Sequence, residues 1–278
     1  MAYQYYYLVA GLPDIVQDEP KLSVSRKRLK DECREQIQPN EFEQIKKLFY
    51  PDDNYNLYNV LLRTDKEFKE TGNYTLEELE EEIRRPESLP GYLTEFIDTY
   101  KNATPIKPGM SWENQLNHLF YGNICTDEKF FIRSWFLFEF NLKNILTGLN
   151  SRKHGTPLEN EIIGDDFVSQ NLKKSNERYF GLSKELDYIE SVINLFEHKD
   201  MLEREKGIDQ LKWDYLDELT TFEYFSVEVL MSFFIKLGIA ERWVKLDKET
   251  GKVFLNIMVN ELRESFVFPE EYVLSGTK

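Results

Sequence analysis

Thiols and imidazoles are scarce in this chain, which has two cysteines and three histidines among 278 residues. Cys33 and Cys125 stand far apart with no metal or redox spacing. They read as free thiols in a reducing compartment rather than as a disulfide. His118, His154 and His198 include no pair at metal-ligand spacing and no HExxH. His118 sits beside Leu119 and Phe120 and reads as a structural histidine. His154 reads as solvated, and His198 as a helix-end residue near a C-terminal dipole. The 13 glycines make no phosphate-cradling loop. Gly251-Lys252 is followed by Val253 without an upstream glycine at the required distance, so it reads as a turn. GxGxxG and GxSxG are absent. Positive charge is also short, with 35 Lys and Arg against 50 Asp and Glu and a net charge of −15. That balance disfavours nucleic acid as a partner. The one basic run, Arg26, Lys27, Arg28 and Lys30, reads as a solvated helix face. With 50 carboxylates, pairs such as Asp165-Asp166 do not identify a catalytic dyad.

Long uninterrupted apolar runs are missing as well. The best candidate, residues 130–149, holds twelve large apolar residues but is interrupted by Arg133, Glu139 and Lys143. Three such charges cost about 8–9 kcal/mol on the insertion scale, against a gain of about 6 from the apolar side chains. The segment reads instead as the central helix of a water-soluble core. The N-terminus has aromatics but neither a basic n-region nor a clean apolar h-region, which argues against a signal peptide and for a cytoplasmic chain.

What is present is a globular composition, 41% hydrophobic and 31% charged, with 20 Phe, 16 Tyr and 4 Trp. These large rings suit a core or an interface. The periodicity is helical almost throughout. Residues 3–10 fit a strand or a helix. Helices are expected over 23–36 and from Pro39, with Pro51, Asp52 and Asp53 closing the latter, and then over 54–63. Thr75 and Glu78 form a capping box for a short acidic helix ended by Pro86. Further helices are expected over 90–101 and after Ser111, then as a long helix capped by Asp127. In the punctuated stretch 150–181 one helix is expected at 166–178. Later helices are expected after the caps Ser183 and Ser226, and over 200–219. Around 243–257 the pattern fits a hairpin with a glycine turn or helix-loop-helix, of which the second matches Phe254, Ile257, Met258 and Leu262 better.

One phrase occurs twice, 85 positions apart: Tyr55-Asn56-Leu57-Tyr58-Asn59-Val60-Leu61-Leu62 and Phe140-Asn141-Leu142-Lys143-Asn144-Ile145-Leu146-Thr147. Both asparagines and two leucines coincide, and such self-similarity points to one structural unit used more than once. Asparagine is a poor helix-interior residue because its amide competes for backbone groups. Asn56, Asn59, Asn141 and Asn144 are therefore expected to hydrogen-bond a neighbouring helix end or loop.

The stretch Glu139-Phe140-Asn141-Leu142-Lys143-Asn144-Ile145-Leu146 resembles the acidic-x-Asn-Leu-Lys/Arg-x-Ile/Leu-Leu phrase of the C-type adaptor family of rotary V/A-type ATPases, called d-type in eukaryotic vacuolar enzymes. Phe225-Ser226-Val227-Glu228 through Ile239-Ala240-Glu241-Arg242 is similar to that family's last repeat, with Glu241 in the place of Glu139. Trp243 and Val244 stand where Asn-Leu is usual. Leu202-Glu203-Arg204-Glu205 and Asp209 resemble its acidic, Arg-containing helix. The opening Tyr5-Tyr6-Tyr7-Leu8-Val9-Ala10-Gly11-Leu12-Pro13 resembles a bacterial family of unassigned function whose members look like counterparts of this rotary-ATPase family.

The resemblance implies an all-α, funnel-like body of repeated helical units, approximately 1–85, 86–181 and 182–278. It implies a non-catalytic adaptor without cofactor or metal, joining the central stalk to the membrane rotor ring. Such a protein is cytoplasmic and reaches the inner membrane only through the complex. The alternatives are a free-standing helical interaction protein and, third, an enzyme whose site is assembled from scattered residues such as His118.

Overall fold

The computed structural model describes residues 4–16 and 22–246, and these residues form twelve helices and no strand. The all-α expectation holds for them. The chain opens with α1 (Tyr6–Ala10), so the strand-or-helix stretch is helical. It continues with α2 (Arg26–Gln36), α3 (Pro39–Lys47), α4 (Tyr50–Leu62) and α5 (Leu76–Arg84). Next come α6 (Gly91–Lys101), α7 (Trp112–Ile124), α8 (Phe130–His154) and α9 (Phe167–Lys174). The last three are α10 (Ile189–Glu197), α11 (Met201–Leu219) and α12 (Val227–Lys245).

Local chemistry explains several boundaries. Ser25 and Ser111 accept the backbone N–H groups of Arg28 and Asn114, and Asp200 those of Leu202 and Glu203. Each satisfies first-turn donors that have no partner inside the helix. Both halves of the Thr75–Glu78 capping box form. Gly155 ends α8 in the left-handed region at φ 68°, where a residue without Cβ is unstrained.

Three expected boundaries are corrected. Pro51, Asp52 and Asp53 lie in the first turn of α4 rather than closing α3. A proline is tolerated there because its missing N–H would have had no helical partner. The long helix starts at Phe130 with Lys129 at its cap position. Asp127 lies too early to cap it and instead accepts the Lys129 N–H at 2.8 Å. Ser183 does not begin a helix: residues 183–188 form turns, and α10 starts at Ile189. Leu186 is buried all the same, which is why the apolar spacing looked continuous. Ser226 occupies the cap position of α12, but its hydroxyl is buried without a hydrogen-bond partner. Of the hairpin region, Trp243–Lys245 belong to α12, and residues 247–257 lie outside the described residues.

Apolar faces from all along the described residues join one core, from Leu8 and Leu29 through Phe49, Phe96, Phe120 and Phe138 to Phe180 and Leu237. The long α8 is its axis and packs against α7, α9 and α10. Thirteen of its 25 residues are buried, so it is apolar on most faces, as a central helix must be. α12 packs against α2, α3 and α11 and so ties the end of the described chain to its beginning. No described helix is long and apolar enough to cross a membrane. The helices α1–α5, α6–α9 and α10–α12 fall within the segments 1–85, 86–181 and 182–278.

Candidate functional site: a charged cleft where the three segments meet

Segment ends supply the charges of this site. Arg26 is the first residue of α2, and Glu241 lies in the last turns of α12. The Glu241 carboxylate accepts the Arg26 backbone N–H and the Arg26 Nε–H, each at 2.8 Å. One carboxylate thus serves an unsatisfied helix-start donor, the positive end of the α2 dipole and a guanidinium together. Gly238 lies against this pair, and a Cβ there would sit a tight 3.2 Å from Arg26 Nη1.

The far side of Arg26 faces Asp52 on α4 at 3.8 Å. Asp52 also accepts from Lys69 Nζ at 2.8 Å and Thr71 Oγ1 at 2.7 Å. Burial pushes its carboxyl up, but Lys69, Thr71 and Arg26 outweigh that and hold it below the usual carboxylate range. Glu139 on α8 pairs with Lys212 on α11 at 2.8 Å. Burial disfavours the Lys212 ammonium, yet the Glu139 carboxylate prevails and raises its pKa. Asp209 on α11 is almost fully buried and accepts from Trp243 Nε1 at 2.8 Å and from Arg242.

These pairs surround a cavity of about 230 Å³ with Arg26 and Asp52 from the first segment, Trp135, Phe136 and Glu139 from the second, and Asp209, Lys212 and Arg242 from the third. A second cavity of about 630 Å³ shares Arg26 and Asp52 and adds Lys27, Tyr55, Lys69, Glu241 and Lys245. The charged groups that line the smaller cavity are paired across helix boundaries. Such a set can lock segments together or exchange partners with an incoming charged chain; it supplies neither a free nucleophile nor a poised base.

The four motif asparagines do three different jobs. Asn56 clamps Lys69, its amide donating to the Lys69 carbonyl and accepting the Lys69 N–H, both at 2.8 Å. Asn144 makes the same two-point clamp on Ile163, at 2.8 and 3.1 Å. Each therefore anchors the loop that follows its helix, as expected for buried amides. Asn59 bonds within its own helix, to the Tyr55 carbonyl, and accepts from Thr64 Oγ1. Asn141 meets the Tyr188 hydroxyl, while its own Oδ1 has no partner. Both phrases are helical, but the equivalent clamps are Asn56 and Asn144, one helical turn away from the pairing of Asn56 with Asn141 that the phrases suggest. Of the six motif residues, Glu139 lines the smaller cavity and Glu241 the larger one, while Asn56 and Asn144 anchor loops.

The basic run is only partly solvated. Lys27 and Arg28 are exposed, but Arg26 is half-buried in the cleft and Lys30 is buried. Lys30 Nζ donates to the Thr71 and Gly72 carbonyls at 3.0 and 2.9 Å and lies 4.0 Å over the Phe49 ring. Burial lowers its pKa to about 8. The neighbouring Asp53 accepts the Asn73 backbone and side-chain N–H groups, and burial raises its carboxyl to about 6. Gly72 is required at this spot, because a Cβ would come within 2.7 Å of Asp53 Oδ1. Asn56, Asp52, Asp53 and Lys30 together strap residues 69–73 into the wall of the larger cavity.

Sequence reading missed Arg26, Lys30, Asp53 and Lys212 as buried partners. The one local signal was the pair Asp52-Asp53 placed directly before the first asparagine phrase. His118 is half-buried, and burial lowers its pKa, while its Nδ1 has no partner. It does not line the cleft, and His154 and His198 are exposed. Both cysteines are free. Among the described residues no group of three or more His, Cys, Asp or Glu side chains could hold a metal ion.

A family model described as "Protein of unknown function (DUF2764)" matches residues 1–265. No curated protein and no solved structure matches the chain.

Proposed function

We propose, given that the chain belongs to the DUF2764 family, that it is a non-catalytic adaptor between the central stalk and the membrane rotor ring of a V/A-type ATPase. The observation that carries this reading is the position of the two motif carboxylates. Glu139 and Glu241 belong to the phrases that resemble the rotary-ATPase adaptor family, and they pair with Lys212 and Arg26, two cations that line a cavity to which all three segments contribute. In this reading segments 1–85, 86–181 and 182–278 are the repeated units of a funnel, and the cleft is where they lock. Torque passes through a body whose segments are joined by ion pairs flanked by aromatic core rather than by reactive groups. Two of those pairs are half-buried and thus less screened by salt than surface pairs. No cofactor, metal or nucleic acid is required, and membrane contact is made through the ring.

Affinity purification of the tagged full chain from its native cell tests the proposal. Stalk and ring proteins are expected in stoichiometric amounts. A clean preparation without any rotor component overturns it.

One observation favours the second reading, a free-standing helical interaction protein: several large aromatic side chains are exposed away from the cleft, including Phe222 at 87% and Tyr7 at 82%.

A further inference from the structure

Four of the most exposed rings lie on two segments that touch, α1 and the turn between α11 and α12. The Tyr5 N–H donates to the Phe225 carbonyl at 2.6 Å, and the Tyr6 and Phe225 rings lie 4.5 Å apart. The start of α1 is thereby fastened to the turn between α11 and α12. Tyr6, Tyr7, Phe222 and Tyr224 are 57%, 82%, 87% and 73% exposed. At 150–250 Å² per ring, this leaves on the order of 500 Å² of aromatic surface in water. The largest apolar patch on a typical monomer is about 300–600 Å² and is often functional. Tyr7 also forms the lip of a cavity of about 530 Å³ whose wall includes Leu8, Leu12, Pro13, Val24 and Leu29. The charges at that cavity, Arg28 and Glu32, offset each other.

The rim decides what fits. From Trp213 to Ile235 the chain carries Asp214, Asp217, Glu218, Glu223 and Glu228 and not one Lys, Arg or His. The nearest cation after it, Lys236, is already paired with Asp217. Exposed rings flanked along the chain by the exposed Glu218 and Glu223 repel an anionic lipid headgroup layer, and a chain with net charge −15 repels a second copy of itself. The chain's own residues 247–278 are a poor match too, with six carboxylates against four basic residues. Charge complementarity selects one class of occupant.

We infer that the surface formed by α1 and the α11–α12 turn is a docking site for a basic amphipathic helix of a partner protein, which lays its apolar face on the rings and its Lys or Arg residues against the acidic rim. This inference does not rest on the adaptor reading, and the site is separate from the charged cleft.

The test uses the full chain and two fluorescent helical peptides of about 18 residues, five turns, with the same leucine and phenylalanine face. One has lysine on the polar face and the other glutamate. The lysine peptide is expected to bind, and to bind more weakly as salt rises. Phe222→Ser with Tyr224→Ser is expected to weaken it about tenfold or more, as loss of aromatic anchors does, with an unchanged circular dichroism spectrum. Tyr7→Ser on α1 is the second, independently placed variant and should also weaken it. Equal binding of the glutamate peptide, or unchanged binding by all variants, overturns the inference. So does binding to phosphatidylserine vesicles that those substitutions abolish, or a dimer that they dissociate, because the surface would then belong to a membrane or to a second copy.

Discussion

The two asparagine clamps give a sharp test of how burial sets the worth of a hydrogen bond. Asn56 and Asn144 are each 1% exposed and each grips one backbone unit at two points. What differs is the backbone they hold. Ile163 is 1% exposed, whereas Lys69 is exposed. In Asn144→Leu the Ile163 N–H loses its partner in the core, although the carbonyl keeps the Ser169 hydroxyl at 2.8 Å. An orphaned buried donor costs about 1–3 kcal/mol, and a lost neutral hydrogen bond adds about 1. The expected destabilisation is therefore about 2–4 kcal/mol. In Asn56→Leu both Lys69 groups return to water, so about 1 kcal/mol is expected. Urea unfolding at unchanged m-value measures both. The Ile163 amide should also exchange with deuterium faster in the first variant alone. If Asn56→Leu costs as much as Asn144→Leu, partner burial is not what sets these energies.

Asn141→Leu should cost about 1 kcal/mol or less, since it removes an unpartnered buried oxygen along with the Tyr188 contact; the same urea titration reads it. Gly207→Ala should destabilise by about 1–3 kcal/mol, because a Cβ on α11 would overlap the Leu195 side chain of α10; a lowered thermal midpoint checks it. Glu241→Ala should cost about 2 kcal/mol by freeing the α2 start and the Arg26 side chain, with faster exchange of the first α2 amides as the local signature. For pH, Asp53 is raised to about 6 in the folded chain, above its unfolded value near 4. Its ionised form is the costly one, so that cost is full at pH 7 and is relieved as pH falls through 6 toward 4. Wild type should therefore gain about 1–3 kcal/mol relative to Asp53→Asn over that window; unfolding curves for both at pH 7 and pH 4.5 decide it.

Much of the helical layout could be read in advance because its causes are local. The Thr75–Glu78 box, Ser111 and Asp166 satisfy donors only two or three residues away. Where such reading erred, the competing contact was remote or the period was shared by another conformation. Asp127 pairs with Lys47, 80 positions away, instead of capping, and the spacing of Leu186 and Ile189 continues through a turn. The candidate site was legible by half. Glu139 and Glu241 stood out through the phrases they belong to, and Asp209 through the acidic helix that resembles the same family. Nothing near Lys212 or Arg26 marks them as their partners. Arg26 and Glu241 are 215 positions apart, a separation over which chain order carries no pairing rule.

The sequence by itself determined the class of the fold, because helical periodicity, caps and breakers act within a turn or two. It also pointed to hydrogen-bonded amides at residues 56, 59, 141 and 144, since asparagine is a poor residue inside an apolar helix. Only the tertiary structure decided which backbone each amide holds, which charges meet in the cleft, and that a run of lysines and arginines would send Lys30 inward over Phe49. Those outcomes depend on how α2, α4, α8, α11 and α12 pack. Ion pairs and desolvation act through space, with energies set by burial and distance rather than by order along the chain.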